Sequence, residues 1–176
     1  MAGAMTGFFS AYYDSGETSR GATDGTKAAD PRIIIVEPDK ADCIYKTAAA
    51  NDGEIHVVTG DLDSIMAGLC CGEPCTIGWD VLKGRADAFI SMPDVIAARG
   101  MRILGNPTGA DPRVISGESG AAGLGLAAAV LTDTKLEELR KMLQLDENSR
   151  ILCISTEGVT DESGYRRIVW DGWNAE

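Results

Sequence analysis

The sequence predicts an α/β fold, a mostly parallel sheet flanked by helices. Segments with apolar residues at helical spacing alternate with short β-branched runs, which is the element order of a parallel sheet. Residues 33–36 read Ile-Ile-Ile-Val and lie between two prolines, as expected of a strand that is covered on both faces. Residues 114–126 combine a β-type entry, a glycine-rich turn and small apolar residues, which indicates a strand-turn-helix corner.

The other elements follow the same alternation. An apolar stripe at three- and four-residue steps predicts a helix over residues 2–13, and the Gly, Ser, Thr and Asp content of residues 14–30 indicates an exposed loop. Further strands are expected at residues 55–58, 86–90 and 150–155. Further helices are expected at residues 39–51, 61–69, 76–82, 93–100, 119–131 and 134–145. The helix at 93–100 has Pro93 at its start and Gly100 at its end.

Composition and length restrict the classes of function. The 176 residues fit one globular domain and their 44% hydrophobic content supplies a core, so we expect residues 1–176 to form a single α/β unit. A formal net charge of −11 without a Lys/Arg cluster disfavours nucleic acid as a partner. No apolar run reaches bilayer length and the first residues lack the order of a secretory signal, so we expect a cytoplasmic protein without a membrane partner.

The cysteines are expected to be reduced thiols. There are five, an odd number, in a chain large enough to fold without disulfides. Cys70, Cys71 and Cys75 lie close enough in sequence to suggest a metal site. His56 is the only histidine, however, so the four ligands of a zinc site are poorly supplied, and we expect no metal.

Two predicted strand ends hold the polar site candidates. Open α/β sheets bind ligands at the carboxyl ends of their strands, and residues 116–119 and 155–157 are rich in hydroxyl and carboxylate groups there. The glycine spacing does not fit a dinucleotide-binding loop, and Glu118 would occupy the place of a pyrophosphate. Ser-His-Asp hydrolysis is disfavoured because no Gly-x-Ser-x-Gly elbow is present. The alternative for the corner is a tight turn whose glycines only allow close packing.

Several runs of the sequence resemble diaminopropionate ammonia-lyase, and the likeness covers nearly the whole chain. The most specific are Ile-Met-Ala-Gly-Leu at 65–69, Asp-Pro-Arg-Val-Ile-Ser-Gly-Glu-Ser-Gly-Ala at 111–121 and Ile-Ser-Thr-Glu-Gly at 154–158. The others are residues 37–43, 71–74, 76–79, 97–102 and 165–170. The resemblance implies a fold-type II pyridoxal phosphate enzyme, related to threonine dehydratase, that converts 2,3-diaminopropionate into pyruvate and ammonia by α,β-elimination.

The resemblance also implies which residues bind the cofactor. The turn from Gly117 to Gly120 matches the segment whose serine hydroxyl faces the pyridine nitrogen, which assigns that role to Ser119 and makes both glycines part of the cofactor site. Gly68 matches the segment whose backbone lies along the ring, where a larger residue would collide. A neutral hydroxyl does not hold a proton on the nitrogen strongly, so elimination is favoured over transamination. The alternative for Ser119 is a plain helix cap.

Some features of the family are missing from this sequence. The resemblance places the lysine that forms the Schiff base, the asparagine beside the ring hydroxyl and most of the phosphate loop in an N-terminal half, and no lysine here lies in a similar motif. Cys75 stands where the family has asparagine in Gly-Glu-Pro-Asn-Thr. We therefore expect the C-terminal half of the enzyme, inactive alone and without a catalytic residue of its own. The alternative is a non-catalytic α/β subunit or binding module derived from that family.

The expected partners follow from this half-enzyme hypothesis. They are a small amino-acid substrate, pyridoxal phosphate in the complete enzyme, and the missing N-terminal half or a second copy of the chain. A half-site exposes apolar surface that self-association would cover, so we expect a homodimer or larger assembly. Relatives can carry cysteines in the same runs, so Cys43 and Cys71 are the expected pair if any disulfide forms.

Overall fold

The computed structural model describes residues 2–14 and 31–175 and confirms the α/β class. The helices are α1 (Ala2–Asp14), α2 (Cys43–Ala50), α3 (Thr76–Arg85), α4 (Asp94–Gly105), α5 (Glu118–Thr132), α6 (Glu137–Met142) and α7 (Glu162–Val169). The strands are β1 (Ile34–Pro38) and β2 (Ala88–Met92), and short 3-10 turns lie at Ala67–Leu69 and Thr134–Leu136. The predicted loop at 14–30 lies outside the described residues, apart from Asp14, which ends α1.

The two strands of the described sheet pair in parallel. Ile34 lies opposite Ala88 and Pro38 lies opposite Met92. The Asp39 N–H then donates to the Met92 carbonyl at 2.9 Å, one step beyond the end of β1. The sheet therefore forms where the sequence predicts its two clearest strands, although each strand begins and ends slightly later than expected.

Helices α4 and α5 approach closely because glycines lie at their contact. A Cβ on Gly100 would overlap the Ala121 carbonyl oxygen, and a Cβ on Gly125 would overlap the Ile96 carbonyl oxygen. The prediction that Gly100 ends its helix is therefore wrong. Helix α4 continues to Gly105, and Gly100 is a buried packing position in its interior.

Helix α7 has no counterpart among the predicted elements. Tyr165, Ile168 and Val169 recur at three- and four-residue steps and are buried against α4 and α5. Asp161 caps the helix by accepting the Ser163 N–H at 3.0 Å. Both signals are present in the sequence, so α7 could have been predicted.

Two of the predicted strands are wrong. Residues 55–58 and 150–155 are irregular in the structure. A strand requires a hydrogen-bonded neighbour, and within the described residues only β1 and β2 pair. The apolar side chains of Ile151, Leu152 and Ile154 are consequently exposed.

The helices predicted at residues 61–69 and 134–145 are shorter than expected. Of residues 61–69, only the last three form a 3-10 turn. Ser64 competes with helix formation, because its Oγ bonds Asp94 at 2.5 Å and accepts the Met66 N–H at 3.1 Å. Residues 134–145 form a 3-10 turn followed by α6, which ends at Met142.

Candidate functional site

The candidate site lies at the first turn of α5. The helix begins at Glu118, as predicted within one residue. Gly117 occupies the N-cap position and has no side chain that could accept the free N–H groups of the first turn. Its φ of −73° is ordinary, so space rather than conformation requires glycine: a Cβ would lie 2.8 Å from the Gly158 carbonyl oxygen and 2.9 Å from the carboxyl carbon of Glu157.

Glu157 supplies the cap that Gly117 cannot. Its Oε1 accepts the Ser119 N–H at 2.8 Å and the Gly120 N–H at 3.3 Å. Its backbone carbonyl also accepts the Gly117 N–H at 3.3 Å. A negative charge is stabilised at this position, because the N-terminal end of a helix carries the positive end of its dipole.

Gly68 covers the side chain of Ser119. A Cβ on Gly68 would lie 3.0 Å from Ser119 Oγ and 3.9 Å from Glu157 Oε2. Ser119 Oγ is buried and, among the described residues, has no hydrogen-bond partner. The Ser119 hydroxyl is therefore closed off by a backbone turn and a carboxylate rather than by apolar core.

Two further hydroxyl groups lie beside this turn. Ser155 Oγ lies 2.8 Å from Ser116 Oγ and 3.3 Å from the Glu157 carbonyl oxygen. Ser116 is buried, whereas Ser155 is exposed. A Cβ on Gly120 would lie 2.6 Å from Ser116 Oγ and 3.0 Å from Ser155 Oγ, so space requires this glycine too.

The structure brings together all four residues that the sequence analysis assigns to the cofactor: Gly68, Gly117, Ser119 and Gly120. It also joins the two polar segments, 116–119 and 155–157, although the second one does not end a strand. Glu157 contacts each part of this group. The sequence signals for Glu157 were its place in a polar segment and in the family run 154–158, but neither shows that it caps α5, because a cap contributed from 38 residues away leaves no local pattern.

Carboxylates dominate the electrostatics of this turn. Burial raises the pKa of Glu118, and the charges of Glu157 and Asp161 raise it further. Hydrogen bonds from Gly164 and Ser163 lower the pKa of Asp161. The surroundings of the turn therefore favour a neutral or positively charged ligand group over an anion.

Four of the described lysines are engaged in ion pairs with carboxylates. Lys40 pairs with Asp94, Lys46 with Asp42, Lys83 with Asp80, and Lys141 with Glu137 and Glu138. Lys135 is exposed and follows the opposite end of α5. Lys27 lies outside the described residues. No lysine of the described residues bonds the Ser119 hydroxyl.

A second glutamate caps α2 in the same way. Buried Glu37 accepts the Ile44 N–H at 3.1 Å and the Tyr45 N–H at 2.7 Å. Helix α2 consequently begins at Cys43 and not at residue 39, where the sequence analysis started it. Burial raises the pKa of Glu37 and raises that of Cys43 to about 11.

The cysteine side chains are all free thiols. The Cys43 thiol lies 3.2 Å from the Cys71 carbonyl oxygen, so the two residues named as a possible disulfide pair are neighbours. Across residues 2–14 and 31–175, no His, Cys, Asp and Glu group is arranged to hold a metal ion. No helix in the same ranges is long and apolar enough to cross a bilayer.

Comparison with known families identifies the class of this fold. Residues 3–157 match the family described as pyridoxal-phosphate dependent enzyme, a span that includes Gly68, Ser119 and Glu157. The chain therefore belongs to this family, whose fold is the fold-type II architecture expected from the sequence.

The curated relatives are more specific. Diaminopropionate ammonia-lyase of Escherichia coli (strain K12) is 54% identical over 142 residues, which are 81% of this chain and 35% of the relative. Diaminopropionate ammonia-lyase of Salmonella typhimurium (strain LT2) is 47% identical over 146 residues, 82% of this chain and 36% of the relative. The chain thus spans about a third of the length of the curated relatives it matches.

Solved structures agree with the sequence comparison. The Escherichia coli diaminopropionate ammonia lyase in complex with D-serine is 50% identical with a TM-score of 0.75, and the match covers 83% of this chain and 35% of that one. The selenomethionine holo form of the same enzyme is 52% identical with a TM-score of 0.75, covering 83% of this chain and 36% of that one. The likeness therefore extends from the sequence to the backbone.

Proposed function

We propose that the chain forms part of a diaminopropionate ammonia-lyase and supplies the wall of the cofactor site that contacts the pyridine ring. The reaction is the α,β-elimination of 2,3-diaminopropionate to pyruvate and ammonia. The observation that carries this proposal is the Ser119 hydroxyl, which is buried without a partner beside Gly68 in the region that matches the pyridoxal phosphate family. The names of the curated relatives support the choice of substrate.

The residues of the turn fit the ring of pyridoxal phosphate. A buried hydroxyl without a partner lacks the hydrogen bond that it would make in water. A ring nitrogen that accepts a hydrogen bond from the hydroxyl would restore it. Gly68 presents only backbone, so a flat ring meets no side chain there. When bound, pyridoxal phosphate would act as an electron sink for the substrate α-carbon. Because Gly68 covers Ser119 Oγ, the proposal requires the turn Ala67–Leu69 to shift when the cofactor binds.

The proposal assigns the Schiff-base lysine and the phosphate loop to chain outside these 176 residues. The ion pairs of the described lysines support this division. A hydrogen bond from Ser119 contributes about 1 kcal/mol, whereas immobilising a ligand costs about 4 kcal/mol or more. The 176 residues alone are therefore expected neither to retain pyridoxal phosphate nor to release pyruvate.

A chimera tests this proposal. The residues of the Escherichia coli relative that this chain matches are replaced by the corresponding residues of this chain. We expect the chimera to retain visible cofactor absorbance after desalting and to release pyruvate from 2,3-diaminopropionate, while the 176-residue chain alone does neither. Stoichiometric retention and turnover by the chain alone would contradict the half-enzyme proposal. A chimera that retains no cofactor would favour the alternative of a non-catalytic α/β module.

Matched serine variants of the chimera test the role of Ser119. Ser119→Ala should weaken pyridoxal phosphate binding by about fivefold, the effect of losing one hydrogen bond of about 1 kcal/mol. Ser155→Ala, at the exposed hydroxyl of the same cluster, should leave binding unchanged. The opposite result would transfer the ring contact from Ser119 to Ser155.

The same proposal includes self-association of the chain and a cytoplasmic location. Large exposed apolar side chains, Ile77 and Leu152 among them, support self-association into a homodimer or larger assembly. Free thiols at all five cysteines suit the reducing cytoplasm.

A further inference from the structure

We infer that Glu157 is a positioning residue that caps the first turn of α5 and so fixes the position of Ser119 beside Gly68. The inference rests on the proposed function, because it concerns the relative placement of the two residues assigned to the cofactor ring. The Glu157 carboxylate contacts one of them directly, through the Ser119 N–H at 2.8 Å, and borders the other.

The first turn of α5 depends on this carboxylate. Gly117 provides no capping side chain, and Glu157 Oε1 accepts the N–H groups of both Ser119 and Gly120. Without Glu157, the N–H groups of Ser119 and Gly120 would therefore lose their acceptor in a half-buried environment. Charge-assisted bonds of this kind are the strong ones among protein hydrogen bonds.

The two carboxylate oxygens lie on different sides of the site. Oε1 bonds the backbone of α5, whereas Oε2 would lie 3.9 Å from a Cβ on Gly68. A Cβ on Gly117 would in turn lie 2.9 Å from Oε1, so the glycine there leaves room for the carboxylate. The carboxylate thus bonds the helix and borders the 3-10 turn, and its loss would free the first turn of α5 to move.

Glu37 is a matched control within the same chain. It also accepts two N–H groups at the start of a helix, at 3.1 and 2.7 Å, but that helix is α2. Substituting Glu37 therefore reports what the loss of a long-range cap does to stability, without altering the contacts of Ser119.

The first experiment uses amide hydrogen exchange on the 176-residue chain. In Glu157→Ala, protection of the Ser119 and Gly120 amides should fall by about tenfold, as for the loss of a helix cap, and Glu157→Gln, which keeps one acceptor oxygen, should restore part of it. Glu37→Gln should leave these two amides unchanged. Unchanged protection in Glu157→Ala would overturn the inference.

The second experiment measures pyridoxal phosphate binding to the chimera in a double-mutant cycle. Glu157→Ala should weaken binding at least as much as Ser119→Ala, and combining the two should add little, because both act through one contact. Glu37→Gln should combine additively with Ser119→Ala. Additive effects of Glu157→Ala would overturn the positioning role. Failure of the unsubstituted chimera to bind the cofactor would instead contradict the proposed function, and with it any role of Glu157 toward the ring.

Discussion

Single glycines set the distance between α4 and α5. Gly100→Ala should lower the free energy of unfolding by about 2 kcal/mol, because its Cβ would overlap the Ala121 carbonyl and force the helices apart. Gly84→Ala in α3 is the control, since nothing lies within 4 Å of its Cβ. It should raise stability by up to about 1 kcal/mol through helix propensity. Urea denaturation measures both, and equal effects would contradict the packing role of Gly100.

The raised pKa of Glu118 predicts a pH-dependent stability. The folded chain binds this proton more tightly than the unfolded chain, so the group stabilises the fold at acid pH and that contribution is lost as pH rises above the ordinary value of 4.5. Glu118→Gln has no carboxyl group to ionise, so it should not lose this stabilisation as pH rises. The stability of the variant should therefore increase relative to that of the unsubstituted chain with rising pH. Urea titrations from about pH 4 to pH 7 test this sign. A difference that stays constant with pH would contradict it.

Among the larger elements, the segment 150–155 contributes little to the core despite its apolar sequence. Leu152 is 74% exposed, so Leu152→Ala should change the free energy of unfolding by less than about 0.5 kcal/mol. Ile168 in α7 is 0% exposed, so Ile168→Ala should cost about 2 to 4 kcal/mol. Urea denaturation of the two variants compares the contributions to stability of segment 150–155, which was predicted to be a strand, and of α7, which was not predicted. A large loss in Leu152→Ala would show that the segment is packed.

Elements with local signals were predictable, and elements that depend on distant partners were not. The continuous β-branched run gives β1, and small apolar residues after a glycine turn give α5. Residues 150–155 have an equally apolar pattern but no strand partner in the described sheet. The helix predicted at 61–69 fails because Ser64 bonds Asp94, a residue of another element.

The candidate site likewise has features that the sequence predicted and features that it did not. Resemblance to the family located Gly68 and Ser119, and the structure places them in contact. The sequence could not show that Gly68 covers the hydroxyl or that Glu157 caps α5. Both facts depend on residues brought together from distant parts of the chain.

At the scale of the whole molecule, exposed apolar side chains predict self-association. Ile77 is 78% exposed and Trp170 is 69% exposed, and burying such groups between copies is favourable. We expect sedimentation velocity of the 176-residue chain to show a dimer or larger species whose population grows with concentration. A single monomeric species at high concentration would contradict the proposed assembly.

Two contacts between distant parts of the chain depend on the order in which the protein is synthesised. The Ser119 N–H cannot bond its cap until Glu157, 38 residues later, has left the ribosome. Arg102 binds the carbonyl oxygens of Ile168, Trp173 and Asn174, up to 72 residues later. Because a chain emerges from its N-terminus, α4 and α5 are synthesised well before the residues that fix their ends. The turn around Ser119 therefore acquires its final geometry only after residue 157 has been synthesised.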